Sequence, residues 1–187
     1  MNQEKSKIYK KKAVFLDRDG VINKDLGYVS SIDRFYWVDG AIDSIEYLKK
    51  LNYLIIVISN QSGVSRGYYD NSDVDELHEW INTDLFSKKK VFIDDFFYCT
   101  DLPGSTSSKR KPRPGMIIDA IEKYKINREK SFLVGDRETD LEAAKNANVR
   151  GYLFEGGNLF NKIKEILINF WSTNSNLPKK TYMYNTF

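Results

Sequence analysis

The sequence feature that most constrains the fold is an apolar run, Tyr53–Ile58, in which hydrophobic residues do not alternate with polar ones. Such a strand is covered on both faces, as in parallel sheets with helices on either side. Four further segments have the composition of strands: Ala13–Leu16, Phe92–Cys99, Ser131–Asp136 and Gly151–Phe154. Amphipathic helical patterns separate these segments. The alternation predicts an α/β fold with helices on both faces of a parallel sheet, and a ligand site beyond the carboxyl ends of the strands.

Two acids, Asp17 and Asp19, leave the end of the first predicted strand together, and Gly20 permits a tight turn there. One carboxylate can serve as a nucleophile and the other as its acid or base. Hard oxygen ligands this close together also suit Mg²⁺. Taken alone, the pair is equally well explained as a solvated strand end.

Polar groups also follow the second and fourth predicted strands. The second ends in Ser59-Asn60-Gln61-Ser62-Gly63, whose hydroxyl and backbone N–H groups can hold a phosphate oxygen. A helix cap and turn is the alternative interpretation. The fourth strand ends in Asp136, and Asp140 follows in the next turn.

A basic segment, Lys109–Arg113, follows a loop rich in Ser, Thr, Gly and Pro. Its cations can capture an anionic substrate, with a lysine on the transferring phosphoryl group and an arginine on a second phosphate. The usual alternative is a solvated charge run. Pro112 and Pro114, on either side of Arg113, favour a fixed conformation. Another loop, between Val21 and Asp39, could cover the acid turn and contribute to substrate choice, or it could be purely connective.

Composition limits the other classes of function. The 187 residues, 41% of them hydrophobic, suit one domain, which we place at residues 13–171 between tails at 1–12 and 172–187. Five lysines and one acid lie in the first twelve residues, so the rest of the chain is close to neutral and we expect no nucleic-acid partner. The apolar runs are too short to cross a membrane. We expect a cytoplasmic monomer, and its single cysteine, Cys99, excludes an internal disulfide.

The motifs, taken in order, resemble those of the haloacid-dehalogenase superfamily of phosphohydrolases. They are Asp17-x-Asp19, Ser59, Lys111 and Gly135-Asp136-x-x-x-Asp140, and the resemblance covers about Ala13 to Phe154. More narrowly, the chain is similar to the heptose 1,7-bisphosphate 7-phosphatases and the related histidinol-phosphate phosphatases. The residues that carry this closer likeness are Asp17–Asn23, Ser59–Gly63, Arg110-Lys111-Pro112, Pro114–Met116 and Gly135–Arg137.

The resemblance implies a capless, Rossmann-like three-layer sandwich with strand order 5-4-1-2-3. It implies that Asp17 attacks phosphorus to form an aspartyl-phosphate, and that Asp19 protonates the leaving alkoxide and then activates water. Ser59 and Lys111 would hold the phosphoryl oxygens. Mg²⁺ would bind the carboxylates of Asp17 and Asp136 and the carbonyl of Asp19. In the same way, Asp140 is expected to orient Lys111 or the metal shell.

The implied substrate is a small phosphorylated sugar, heptose 1,7-bisphosphate, which would lose its 7-phosphate in a pathway to nucleotide-activated heptose and surface polysaccharide. The alternatives are histidinol phosphate or another small phosphomonoester, and a phosphosugar-binding domain without catalysis. Positions that match substrate contacts in the family are Asp25, Leu26, Gly27, Tyr28, Asn60, Gln61, Ser62, Arg110 and Arg137.

One departure from the family concerns zinc. Many relatives bind zinc in the loop before the Arg-Lys pair, where this chain has Cys99, Asp101, Ser107 and Lys109. Only the cysteine belongs to the soft ligands that zinc prefers, so we expect no structural zinc. The loop would then be held by packing and by its prolines.

Overall fold

Five strands and five α-helices alternate along residues 11–173, the part of the chain that the computed structural model describes. The strands are β1 (Ala13–Leu16), β2 (Leu54–Asn60), β3 (Asp95–Cys99), β4 (Phe132–Gly135) and β5 (Arg150–Leu153). The helices are α1 (Ala41–Lys50), α2 (Asn71–Lys89), α3 (Gly115–Tyr124), α4 (Glu138–Asn146) and α5 (Leu159–Thr173). Within this range no helix is long and apolar enough to cross a bilayer.

The proposed tails lie largely outside the described residues. At the amino end the described part begins with Lys11 and Lys12, which are tied to the domain by backbone hydrogen bonds. The carbonyl of Lys11 accepts from Asn127 at 2.7 Å, and that of Lys12 accepts from Leu54 at 2.9 Å. At the carboxyl end, α5 continues to Thr173.

All five strands are parallel, in the order β3-β2-β1-β4-β5, which confirms the predicted order. Leu16, the last residue of β1, lies opposite Val57 of β2 and Val134 of β4. The carboxyl ends of the central strands therefore meet at one edge of the sheet. The N–H of Asp17 continues this pairing, since it donates to the carbonyl of Val134 at 3.0 Å.

The side chains of β1 explain why its sequence does not alternate. Val14 and Leu16 belong to an apolar cluster with α1, α2 and α5 on one face of the sheet. Ala13 and Phe15 belong to a second cluster with α3 and α4 on the other face. All four are fully buried, so both faces need apolar side chains and the three-layer architecture follows.

The third strand begins later than its apolar pattern suggests, at Asp95 rather than Phe92. The carboxylate of Asp94 accepts a hydrogen bond from the N–H of Ile55 at 2.7 Å and pairs with Lys49 at 2.8 Å. The N–H of Asp94 also donates to the carbonyl of Ile55 at 2.9 Å. Both the backbone and the side chain of Asp94 therefore contact the start of β2, and the regular ladder begins with Asp95 opposite Ile56.

The single histidine, His78, packs in the core on α2. Its ring stacks on Phe96 with centroids 4.2 Å apart and an interplanar angle of 13°. Burial, with a smaller contribution from the charge of Arg18, lowers the pKa of His78 from 6.5 to about 3. The folded protein therefore keeps this imidazole neutral at pH values where the unfolded chain protonates it.

We predict that His78 makes the fold sensitive to mild acid. Below pH 6.5 the unfolded chain gains a proton that the folded histidine does not, so the free energy of unfolding falls as the pH drops. From pH 7 to pH 5 the wild type should lose about 1 to 2 kcal/mol more than His78→Gln. Urea unfolding of both proteins at the two pH values measures this. Equal losses would contradict it, because the variant retains every carboxylate.

Candidate active site

The ends of β1, β2 and β4 and the loop after β3 open into one cavity of about 610 Å³. It is lined by most of the residues proposed from the sequence: Asp17, Asp19, Asp25, Gly27, Tyr28, Ser59, Asn60, Gln61, Ser62, Arg110, Lys111, Arg137 and Asp140. Leu26 and Asp136 are not among the lining residues. Arg66 and Tyr69 line the cavity without having been proposed.

The Lys111 ammonium is buried where three elements meet. Its Nζ lies 2.8 Å from Oδ1 of Asp17 and 2.6 Å from Oδ1 of Asp140, and it donates to the carbonyl of Ile58 at 2.8 Å. Burial alone would lower the pKa of Lys111, but the two carboxylates outweigh it and raise this pKa above its usual value. Lys111 is therefore a fixed positive charge beside Asp17.

The acids around Lys111 form a cluster that is suited to a cation. Carboxylate oxygens of Asp17, Asp136 and Asp140 lie within 4.8 Å of one another. Burial raises the pKa of Asp17 to about 7, with Asp140 and Asp19 adding to the rise against the opposing effect of Lys111. Burial and Asp140 raise the pKa of Asp136 as well. A bound divalent cation would reverse these rises by stabilising the ionised carboxylates.

The carboxylates of Asp136 and Asp140 are not equivalent in this cluster. Within the described part of the chain, Oδ1 of Asp136 is buried and has no hydrogen-bond partner. Asp140 is already engaged, since it pairs with Lys111 and its Oδ2 accepts the N–H of Arg137 at 3.1 Å. Asp136 therefore fits the role of a metal ligand, and Asp140 fits the orienting role that the sequence suggested for it.

Gly20 keeps Asp136 close to the acid turn. Its φ of +90° lies in the left-handed region, and a β-carbon at this position would collide with the carboxylate of Asp136. A larger residue would strain the turn and displace the acid.

Arg18, between the two acids of the turn, was not anticipated as a site residue. Its side chain is fully buried, and Nη2 donates to both oxygens of Asp19, at 3.2 and 3.0 Å, and to the carbonyl of Val29. The alternation of side chains at a strand end gives a signal for this. A residue between two acids that face a cavity points away from the cavity, and a buried guanidinium there needs carboxylate or carbonyl partners.

Gln61 connects this arginine to the rest of the site. Its amide nitrogen donates to Asp19 at 2.9 Å and to Oγ of Ser59 at 2.7 Å. Its amide oxygen accepts from Arg18 at 3.2 Å and from the hydroxyl of Tyr69 at 2.9 Å. The side chain of Gln61 is therefore fully used in orienting Asp19 and Ser59, and its backbone N–H donates to the carbonyl of Cys99 at 2.7 Å.

Asn60 places Lys111 in register with the end of β2. Its side-chain amide donates to the carbonyl of Lys111 and accepts from the N–H of the same residue, both at 3.1 Å. This double contact imitates a strand pairing and fixes the backbone that carries the lysine.

The loop that delivers Lys111 is held mainly by hydrogen bonds from two arginines. Arg113 donates to the carbonyls of Ser105 and Ser107, and Arg110 donates to the carbonyl of Asp101 at 2.6 Å. Cys99 donates from Sγ to the carboxylate of Asp101 at 3.2 Å. We expected packing and prolines to hold this loop. The structure adds hydrogen bonds from arginine side chains to backbone carbonyls, and each joins residues several positions apart, so the local sequence does not indicate them.

The loop between β1 and α1 covers one side of the cavity. Arg34 donates to the carbonyls of Leu26 at 2.8 Å and Gly27 at 3.0 Å, which fixes the tip of the loop. Asp25 pairs with Arg137 at 2.7 Å. The loop therefore meets the turn after β4 above the acids, so it is more than a connection.

Comparisons with known proteins match this geometry. Residues 108–163 match the HAD-hydrolase-like family model. A relative from Pasteurella multocida, named D-glycero-beta-D-manno-heptose-1,7-bisphosphate 7-phosphatase, is 40% identical over 149 residues, which cover 75% of this chain and 79% of the relative. One from Helicobacter pylori with the same name is 39% identical and covers 76% and 82%. The solved D,D-heptose 1.7-bisphosphate phosphatase from B. bronchiseptica, complexed with magnesium and phosphate, is 29% identical, with a TM-score of 0.73 and coverage of 91% and 90%.

We predict that Asn60→Asp lowers kcat/KM about tenfold, because a carboxylate cannot donate to the carbonyl of Lys111 and the lysine loses its register. Steady-state kinetics on any accepted phosphomonoester measures this. Asn146→Asp is a matched control, since Asn146 donates to the neighbouring carbonyl of Pro112 at 3.1 Å from outside the cavity. The two variants should differ in activity at similar thermal stability, and equal activity would contradict the assignment.

Proposed function

Because this chain belongs to the D-glycero-beta-D-manno-heptose-1,7-bisphosphate 7-phosphatase family of HAD-like hydrolases, we propose that it removes the 7-phosphate of that bisphosphate. The reaction releases the 1-phosphate, which can be activated with a nucleotide for surface polysaccharide. The observation that carries the proposal is the pairing of a buried carboxylate, Asp17, with a buried ammonium, Lys111, beneath a cavity that also contains arginines.

In the proposed mechanism Asp17 attacks phosphorus and forms an aspartyl-phosphate. Its Oδ1 accepts from the N–H of Arg18 at 2.7 Å and pairs with Lys111. Both contacts hold the carboxylate in one orientation, which lowers the entropic cost of the attack. Ser59 accepts from Gln61 through Oγ, so its own hydroxyl proton is available to a phosphoryl oxygen. Lys111 supplies the compensating positive charge.

Asp19 acts as the acid and then as the base. Its oxygens accept hydrogen bonds from Arg18, Gln61 and, at 2.9 Å, Asn23, so the carboxyl group cannot rotate freely. About 20% of its side chain is exposed, which gives it access to the cavity. It would protonate the alkoxide that leaves phosphorus and later take the proton of the water that hydrolyses the aspartyl-phosphate.

The residues present fit Mg²⁺ as the cofactor. The unpartnered buried oxygen of Asp136 and the carboxylate of Asp17 would hold it, together with the backbone carbonyl of Asp19. When bound, the ion neutralises charge, so that an anionic nucleophile can approach an anionic phosphoester. We propose no structural zinc, since Asp101 and the guanidinium–carbonyl contacts occupy and hold the loop in question.

The cavity favours a sugar bisphosphate over histidinol phosphate. Arg110 and Arg137 line it, and Arg110, which has no carboxylate at ion-pair distance within the described residues, offers a second anion a partner. Histidinol phosphate would instead bring a cationic amine towards these guanidinium groups. A phosphosugar-binding domain without catalysis is disfavoured, because both acids of the first turn are present and oriented.

We predict that kcat/KM for heptose 1,7-bisphosphate exceeds that for histidinol phosphate by about tenfold or more, from the charge difference at the cavity mouth. Phosphate release from both substrates, with and without Mg²⁺, measures this. A preference for histidinol phosphate would overturn the choice of substrate while leaving the phosphatase chemistry intact.

We predict that Asp17→Asn lowers kcat by about a thousandfold or more, because an amide cannot form the aspartyl-phosphate. The variant should remain folded, since Lys111 keeps Asp140 as its partner and one member of a crowded acid cluster is removed. Single-turnover kinetics and a thermal unfolding curve measure the two effects. Near-normal turnover by a folded variant would exclude Asp17 as the nucleophile.

A further inference from the structure

The cavity wall contains a third arginine, Arg66, that belongs to none of the motifs. Its side chain is exposed and lines the cavity beside Tyr28, with the guanidinium carbon 6.0 Å from the centre of the ring. Within residues 11–173 no carboxylate lies at ion-pair distance from this guanidinium. An uncompensated cation in a cavity wall is available to an anionic ligand.

The turn that carries Arg66 is fixed relative to the catalytic groups. The N–H of Arg66 donates to the carbonyl of Ser62 at 3.2 Å, and the N–H of Tyr68 donates to that of Gly63 at 2.9 Å. Tyr69 then closes the turn. Its ring occupies the space that a β-carbon on Gly63 would need, and its hydroxyl donates to Gln61 at 2.9 Å. Arg66 therefore extends from a turn anchored to the residue that orients Asp19 and Ser59.

Strand order divides the arginines of the cavity into two groups. Arg66 follows β2 and Arg110 follows the loop after β3, and both strands lie on the same side of β1. Arg137 follows β4, on the other side of β1. It is also already paired with Asp25 at 2.7 Å. Among the described residues, two guanidinium groups without a carboxylate in ion-pair contact thus lie on one side of Asp17, and one that is paired with a carboxylate lies on the other.

We propose that Arg66, together with Arg110, forms the subsite for the second phosphate of the sugar bisphosphate, and that Arg66 determines specificity for bisphosphates over monophosphates. The inference rests on the proposed function and adds to it a residue and a side of the cavity. Lys111 cannot serve this phosphate, because its three donors are buried against Asp17, Asp140 and Ile58. A guanidinium fork matches phosphate oxygens in a bidentate geometry, so two of them suit a dianion.

The test compares two substrates that differ only in the second phosphate, heptose 1,7-bisphosphate and heptose 7-phosphate. For Arg66→Gln, kcat/KM on the bisphosphate should fall about 30-fold, chiefly through KM, while that on the monophosphate stays within about threefold. Inhibition by heptose 1-phosphate should weaken by a similar factor. Arg66→Lys should recover part of both losses, since it keeps the charge and loses the fork.

Two further variants separate the subsite from general effects. Arg128→Gln removes an arginine from the 3₁₀ turn that precedes β4, at the opposite edge of the sheet, and should leave both substrates unaffected. Arg137→Gln should affect the two substrates to a similar extent. Thermal unfolding should show that Arg66→Gln is folded, since that arginine forms no ion pair with any residue between 11 and 173.

The outcomes distinguish the inference from the proposed function. Selective loss on the bisphosphate supports both. Equal loss on the two substrates, or no loss on either, overturns the role of Arg66 while wild-type turnover of the bisphosphate maintains the proposed function. A wild-type protein that does not hydrolyse the bisphosphate overturns both.

Discussion

The buried contact between Lys111 and two carboxylates is the interaction on which the rest of the site depends. A buried ion loses several kcal/mol of solvation, so an ammonium is stable there only with close partners. Asp17 comes from the end of β1 and Asp140 from α4, and the third acceptor is the carbonyl of Ile58 in β2. One charge thus joins three elements, and the loop after β3 must reach the centre of the sheet edge to supply it.

Arg18 is a second buried cation in the site, so each acid of the first turn is paired with a cation of its own. Lys111 neutralises Asp17, and Arg18 neutralises Asp19 from the opposite side. Gln61 links the two halves through Asp19 and Ser59. Asp17 and Asp19, our proposed nucleophile and proton donor, can therefore be held close together with less mutual repulsion, and these contacts set the orientation of each.

Local patterns in the sequence were sufficient for the strands and for the acids at their ends, because the unalternating runs and parallel crossovers place those ends on one edge. They were not sufficient for Arg18, whose charge suggests a surface position and whose burial depends on Val29 and Gln61, distant in sequence. The same holds for the fastening of the 100–113 loop by Arg113. Arg66 belongs to no recognised motif, and its position in the cavity wall follows only from the turn that Tyr69 closes.

The loop between β1 and α1 is held more strongly at its base, near Val29, than at the cavity mouth, near Asp25. At the base, the carbonyl of Val29 is held by the fully buried Arg18, whereas at the mouth Asp25 meets Arg137, whose side chain is 64% exposed. Exposed ion pairs contribute little and weaken with salt. The aperture can thus widen to admit a bulky sugar at small energetic cost, while the acids beneath retain their alignment. A higher ionic strength would therefore weaken the Asp25–Arg137 pair and ease substrate entry without changing the contacts that orient the acids.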